Sequence, residues 1–191
     1  MEFEKIIPEG IMAILPVYIP MKGNCSQILT YKGQTYEIDK TIRTTLSKLS
    51  KIYLVDLKAA RKYYGNILNI KNLIPIPFDR ENIFIPIKVR RPVCRNDGSI
   101  GYVNIKYIDK VYKKEERAII RLKDEKNIEC LYSIDTVNKH IKNGYIIKRL
   151  ARPQTMEKEA GYLPGEYNKP ATKGDIALLI SEILRIRESI K

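Results

Sequence analysis

The sequence predicts an α+β fold: antiparallel β-sheets around one or two central helices, with a C-terminal helix appended after a linker. Three observations predict it. Short apolar runs punctuated by Pro, Gly and Asn-Asp-Gly occupy residues 10–38 and 72–132, as strands joined by turns would. Between them the apolar period lengthens to that of a helix. A chain of 191 residues, 44% hydrophobic, is long enough to bury one proper core. The expected plan is a domain over 1–150, a linker over 151–173 and a helix over 174–191.

In chain order, GIMAILPVYI, CSQILTY and QTYEI read as a small strand meander. From Lys40 onward, Ile42, Leu46, Leu49 and Tyr53 share one helical stripe, while Lys40, Thr44, Ser47, Lys48 and Lys51 share the opposite face. Asp56 caps a second helix with Leu57, Ala60, Tyr64 and Leu68 on its apolar side; Arg61 sits beside that stripe as a misfit. NLIPIPFDRENIFIPIKV reads as two strands joined by Asp79-Arg80-Glu81-Asn82, with Pro75, Pro77 and Pro86 confining them to edges or bulges. GYVNIKYIDKVY continues as strand, and ERAIIRLK pairs with NIECLY in a hairpin around Asp124–Asn127. Ser133 caps a short helix through Val137 and Ile141 that stops at Gly144, after which YIIKRL returns as a strand. Pro153, Gly161, Pro164, Gly165 and Pro170 mark the linker. Thr172 and Asp175 then open a helix with Ile176, Leu179, Ile180, Ile183, Ile186 and Ile190 on one side, suited to oligomerisation or partner contact.

Basic side chains outnumber acidic ones by 35 to 22, a net charge of +13 that points to an anionic partner. Residues 1–150 hold 28 of the basic and 16 of the acidic groups, so the larger domain faces the anion. The candidate nucleic-acid contacts are Arg43, Lys48, Lys51, Lys58, Arg61 and Lys62 from the helical region. To these the stretch VRRPVCR adds Arg90, Arg91 and Arg95 around Pro92 and Cys94. Arginine's planar fork suits phosphate or a narrow minor groove.

Cys25, Cys94 and Cys130 are widely spaced, and His140 is the sole histidine, so neither a disulfide framework nor a zinc site is expected. The sequence contains no P-loop, G-x-S-x-G or H-E-x-x-H pattern, and neither an enzymatic activity nor a cofactor is expected. Two other readings stay open. One is a metal-dependent nuclease built on Glu37 and Asp39, or on Asp109, Glu115 and Glu116; the other is an RNA-binding or ribosome-associated protein. With no secretory pattern at the start and no apolar run of ~18 residues, the expected location is cytoplasmic, nucleoid-associated and away from membranes.

The order of short motifs resembles the bacterial competence transcription factor family, ComK. MAILP, CSQIL, a basic helical region carrying Ala60-Arg61-Lys62, then PIPFD, NIFIP, RPVC and YVNIKYI follow the family's series over roughly residues 11 to 108. Arg61, Lys62, Asp79, Arg91, Pro92 and Cys94 match its positions. Ala60 and Tyr102 stand where the family tends to have glycine and tryptophan, as in a distant member. The resemblance implies a DNA-binding activator that recognises A·T-rich promoter boxes through the minor groove, acts as a homo-oligomer, and bends DNA. It implies help to RNA polymerase at DNA-uptake genes, for establishing competence for transformation. Cys94 would be a packed thiol. Tyr162, Leu163 and Pro164 resemble part of a motif through which an adaptor delivers one family member to a protease.

Overall fold

The computed structural model describes residues 3–92 and 97–151, all within a unit spanning Met1–Pro153. Its class is α+β, with two antiparallel sheets and helices packed on them. Apart from Ala151, the expected linker lies outside the described residues, as do the helix over 174–191, Cys94, Arg95 and the motif at Tyr162, Leu163 and Pro164.

The larger sheet joins two meanders. Strands β1 (Ile11–Ile19), β2 (Gly23–Thr30) and β3 (Thr35–Ile38) form the first; β4 (Ile76–Pro77), β5 (Ile83–Lys88) and β6 (Ile100–Asn104) form the second. Their order is β3-β2-β1-β6-β5-β4, and the seam between β1 and β6 consists of Ala13 opposite Val103 and Ile14 opposite Tyr102. Pro16, two residues beyond, has no N–H to extend it. On the β2 side, Ile11 pairs with Thr30 and Ala13 with Leu29, so Met12 is an extra residue in a bulge. The bulge changes which side chains face which way. Because both faces of the sheet are covered, the continuous run Ile11 to Ile14 is wholly buried.

One face carries Ile14, Ile28 and Phe84 against Ile42, Leu46 and Leu49 of α2 (Ile42–Ile52), with Phe3 and Ile6 of the short α1 (Phe3–Ile6) completing that cluster. The other face carries Ala13, Leu29, Ile85 and Val103. It packs on Ile120, Leu122 and Ile128 of a second sheet, β7 (Ile108–Lys114), β8 (Arg117–Leu122) and β9 (Asn127–Cys130), and on Val137 and Ile147 of α4 (Ile134–Leu150).

Two local expectations are corrected. GYVNIKYIDKVY is not one strand: Asn104 accepts from the Lys106 N–H and caps a single 3-10 turn, Ile105–Tyr107, through which the chain passes from the larger sheet to the smaller. Gly144 does not stop a helix, and Tyr145–Leu150 is not a strand. The glycine is buried inside α4, where a Cβ would lie 2.8 Å from Ile85 Cγ2 and 3.0 Å from Ile105 Cγ2. Its missing side chain lets the helix approach β5. With Val137, Ile141 and Ile147 it makes the inward stripe, so helical period overrides glycine's low propensity.

Candidate nucleic-acid interface

The chain crosses from β3, one edge of the larger sheet, to β4, the other edge, through α2 and α3 (Leu57–Leu68). The first helix is seated by polar contacts as well as by its stripe. Thr41 caps it by accepting from the Thr44 N–H, while Ser26 Oγ donates to the Lys40 carbonyl at 2.6 Å and shares a 3.0 Å hydrogen bond with the buried Thr45 Oγ1. With Ile42, Thr45, Leu46 and Leu49 facing inward, Arg43, Ser47 and Lys51 form one exposed ridge and Thr44 and Lys48 lie on the other flank. Asp56 caps α3, accepting from the Lys58 and Ala59 N–H groups. Leu57 packs with one core cluster, Tyr64 and Leu68 with the other, so α3 straddles the β4 edge.

An open cleft of about 380 Å³ separates the helices from the beginning of β6. Ile42, Leu46, Leu57, Ile100 and Tyr102 give it an apolar lining, and Arg43 and Arg61 bring a guanidinium from each helix. The misfit arginine of the sequence is thus exposed and hydrogen-bonded to Tyr102. Burial raises the Tyr102 phenol above its ordinary pKa, and Arg61 partly opposes that rise. Lys58 and Lys62 are exposed on the same helix, and Lys51 is exposed on α2. Lys48 lines a separate hollow with Lys22, Glu37 and Asp39.

Among the described residues, no ion pair involves Arg43, Lys48, Lys51, Lys58, Arg61 or Lys62. The nearby acids are engaged elsewhere: Asp39 with Lys22 at 2.9 Å, Asp56 in its cap. The smaller sheet is balanced differently. Arg117 pairs with Glu129, Arg121 with Asp109 and Glu125, and Lys126 with Asp124. None of the six helical cations is thus in an ion pair among the described residues, whereas on and beside the smaller sheet Arg117, Arg121 and Lys126 are paired and Lys110, Lys113, Lys114 and Lys123 are not.

Arg90, from the stretch VRRPVCR, has a different task from its neighbours. Its Nε donates to the Gly98 carbonyl and its Nη2 to Asn24 Oδ1, both at 2.7 Å, so it staples the β5–β6 connection to the start of β2 beyond the seam. Arg91 and Pro92 are exposed. Replacing Arg90 by Ala should lower stability by about 2 kcal/mol in urea denaturation, since two charge-assisted bonds are lost. Lysine should not restore it, having no planar fork. Arg91→Ala should stay within about 0.5 kcal/mol of wild type. Equal stability of Arg90→Ala and wild type would show that the staple contributes nothing.

Sequence reasoning missed Leu54. It follows α2 in a left-handed conformation, φ 54°, with 92% of its surface exposed. The Val55 N–H donates to Ser50 at 2.8 Å and the Leu54 N–H to Lys51 at 3.3 Å, the hydrogen bonds of a helix end that usually carries glycine. The signal available was the lack of Gly or Asn after the last stripe residue.

Among the described residues, no three His, Cys, Asp or Glu side chains gather where they could hold a metal ion, and no helix is long and apolar enough to cross a membrane. Cys25 and Cys130 are buried, and burial pushes the Cys130 thiol up to about 12. Burial also lowers the pKa of His140, which stacks on Tyr132 in α4's packing. The chain matches no protein-family model, no curated protein and no solved structure.

Proposed function

We propose that the protein is a DNA-binding transcriptional regulator that meets duplex DNA with the basic face of α2 and α3. The observation that carries this reading is the set of five exposed helical cations, Arg43, Lys51, Lys58, Arg61 and Lys62, without an ion pair among the described residues, beside an Asp56 that is engaged in its helix cap. Such charge repels itself in the free protein, and a row of phosphates relieves the repulsion while releasing condensed counterions. Two arginines flanking an apolar cleft add planar donors beside a surface on which sugar or base can rest.

The resemblance to ComK supports the finer reading: an activator at A·T-rich promoter boxes, working as an oligomer with RNA polymerase in the cytoplasm, at the nucleoid. The test is binding to A·T-rich duplex, G·C-rich duplex and duplex RNA across a salt series, with and without Mg²⁺. The expected result is A·T-rich DNA first, with log K falling against log salt at a slope of roughly −4 to −5, from about five phosphate contacts. Preference for RNA would replace the reading with an RNA-binding one, and Mg²⁺-dependent cleavage would replace it with a nuclease.

A further inference from the structure

We propose that Leu54 is a wedge that enters between stacked base pairs, unstacks one step and bends the duplex; this rests on the reading of α2 and α3 as a DNA-binding face. The first argument is conformational. A left-handed backbone suits glycine, and a leucine there carries a strain that its Cβ imposes. Elsewhere the fold uses this conformation in ordinary ways: Asn69 ends α3 with φ 51°, and Leu73, with φ 55°, is half-buried. Leu54 gains no burial in return, being 92% exposed. The conformation itself ends α2, but the fold makes no use of the leucine side chain placed there, which is a reason to look for a function.

The second argument concerns what could cover it. Met21, at the tip of the β1–β2 hairpin, is also exposed and left-handed, but its neighbour Lys22 is neutralised by Asp39. Leu54 instead lies in sequence between Lys51 and Lys58, neither of them in an ion pair among the described residues, with the exposed Ile52 beside it; Asp56, the acid of this stretch, is turned to the α3 cap, where one of its oxygens accepts from the Lys58 and Ala59 N–H groups. An apolar knob set among cations fits a partner that is anionic outside and apolar between its layers. Duplex DNA has that construction: stacked bases between two rows of phosphate. A second copy of this face would instead bring like charges together. Leucine is among the side chains that proteins insert between base steps, at the expense of stacking and with a resulting kink. The knob is also firmly mounted. Hydrogen bonds from Leu54 and Val55 back to Lys51 and Ser50 tie it to the end of α2, so the contact is made by a braced corner.

The experiment compares wild type, Leu54→Gly and Leu54→Ala as full chains. Short A·T-rich and mixed-sequence duplexes are read by thymine reactivity to permanganate, which reports unstacking, and by end-to-end energy transfer, which reports bending. Wild type should expose a discrete step and shorten the duplex. Both variants should lose both signals and about tenfold in affinity, with the salt slope unchanged because no charge is removed. Leu54→Gly should also raise the thermal midpoint by a few degrees, whereas Leu54→Ala, which keeps a Cβ at φ 54°, should not. Unstacking and bending that persist in Leu54→Gly at full affinity would overturn the wedge and leave the cationic face standing on its salt slope. Absence of any salt-dependent DNA binding by wild type would overturn both. Loss of binding to phosphatidylserine vesicles in the variants, with DNA distortion unchanged, would assign the knob to a lipid surface instead.

Discussion

Replacing Arg43, Lys58, Arg61 and Lys62 together by glutamine should weaken duplex binding about four-thousandfold at 0.1 M salt and reduce the salt slope by roughly three to four. The magnitude follows from counterion release. Each phosphate neutralised contributes about 0.9 to the exponent of salt concentration, so four lost contacts amount to ~3.6 decades at 0.1 M and nearly none at 1 M. Convergence of the two proteins at high salt is therefore part of the expected result. All four residues are exposed, so the fold should tolerate the change. A matched control removes Lys110, Lys113, Lys114 and Lys123, which are exposed on and beside the smaller sheet. If the control loses as much affinity as the helical variant, overall charge and not a localised face accounts for binding, and the proposed interface falls.

Asn104→Leu should cost about 3 kcal/mol of stability and lower the thermal midpoint by about 10 °C. Asn104 is fully buried and uses both ends of its amide. Nδ2 donates to the Ile11 carbonyl at 3.1 Å and to Asn82 Oδ1 at 2.9 Å, while Oδ1 accepts from the Lys106 N–H at 3.1 Å. Leucine matches the volume but abandons three partners, two of them backbone groups, of which the Ile11 carbonyl is buried. Each unsatisfied group costs ~1–3 kcal/mol, and partial relaxation keeps the sum near the lower end. Chemical denaturation with an unchanged m-value would measure it. A loss below about 1 kcal/mol would mean that these groups find other partners and that the asparagine is not what holds them.

Strand periodicity, the stripes of α2 and the caps Asp56 and Ser133 were legible because each is a local effect: alternate burial, a 3.6-residue period, a side chain answering nearby N–H groups. Gly144 misled because its meaning is not local. The residue next to Ile85 across the core decides whether a glycine ends a helix or lets two elements approach, and sequence order does not bring Ile85 and Gly144 together. The break at Ile105–Tyr107 was hidden for a similar reason, since the apolar pattern of NIKYI stays unbroken while the chain changes sheets. For the candidate site, the identity of the cations was readable, but their grouping was not. Arg43 and Arg61 flank one cleft, Lys48 lies in another hollow, and Arg90 is held within the fold; these distinctions depend on tertiary contacts with Tyr102, Glu37 and Asn24.

The seam of two residue pairs between β1 and β6 also has a kinetic meaning. Within each meander the strands are neighbours in sequence, so their pairing closes only short loops. The seam does not: the hydrogen bond from Asn104 to Ile11 that supports it spans 93 residues. Loop-closure entropy opposes such a contact until local structure has shortened the effective connection, which places the seam late in folding. The chain that must be spanned includes α2 and α3, and the cleft between them borrows Ile100 and Tyr102 from β6. A growing polypeptide that has emerged only as far as α3 therefore carries the basic helices but not the wall against which Arg43 and Arg61 are set. The proposed binding surface would come into existence with the last closure of the sheet, and a partly synthesised chain would have charge without a shaped cleft.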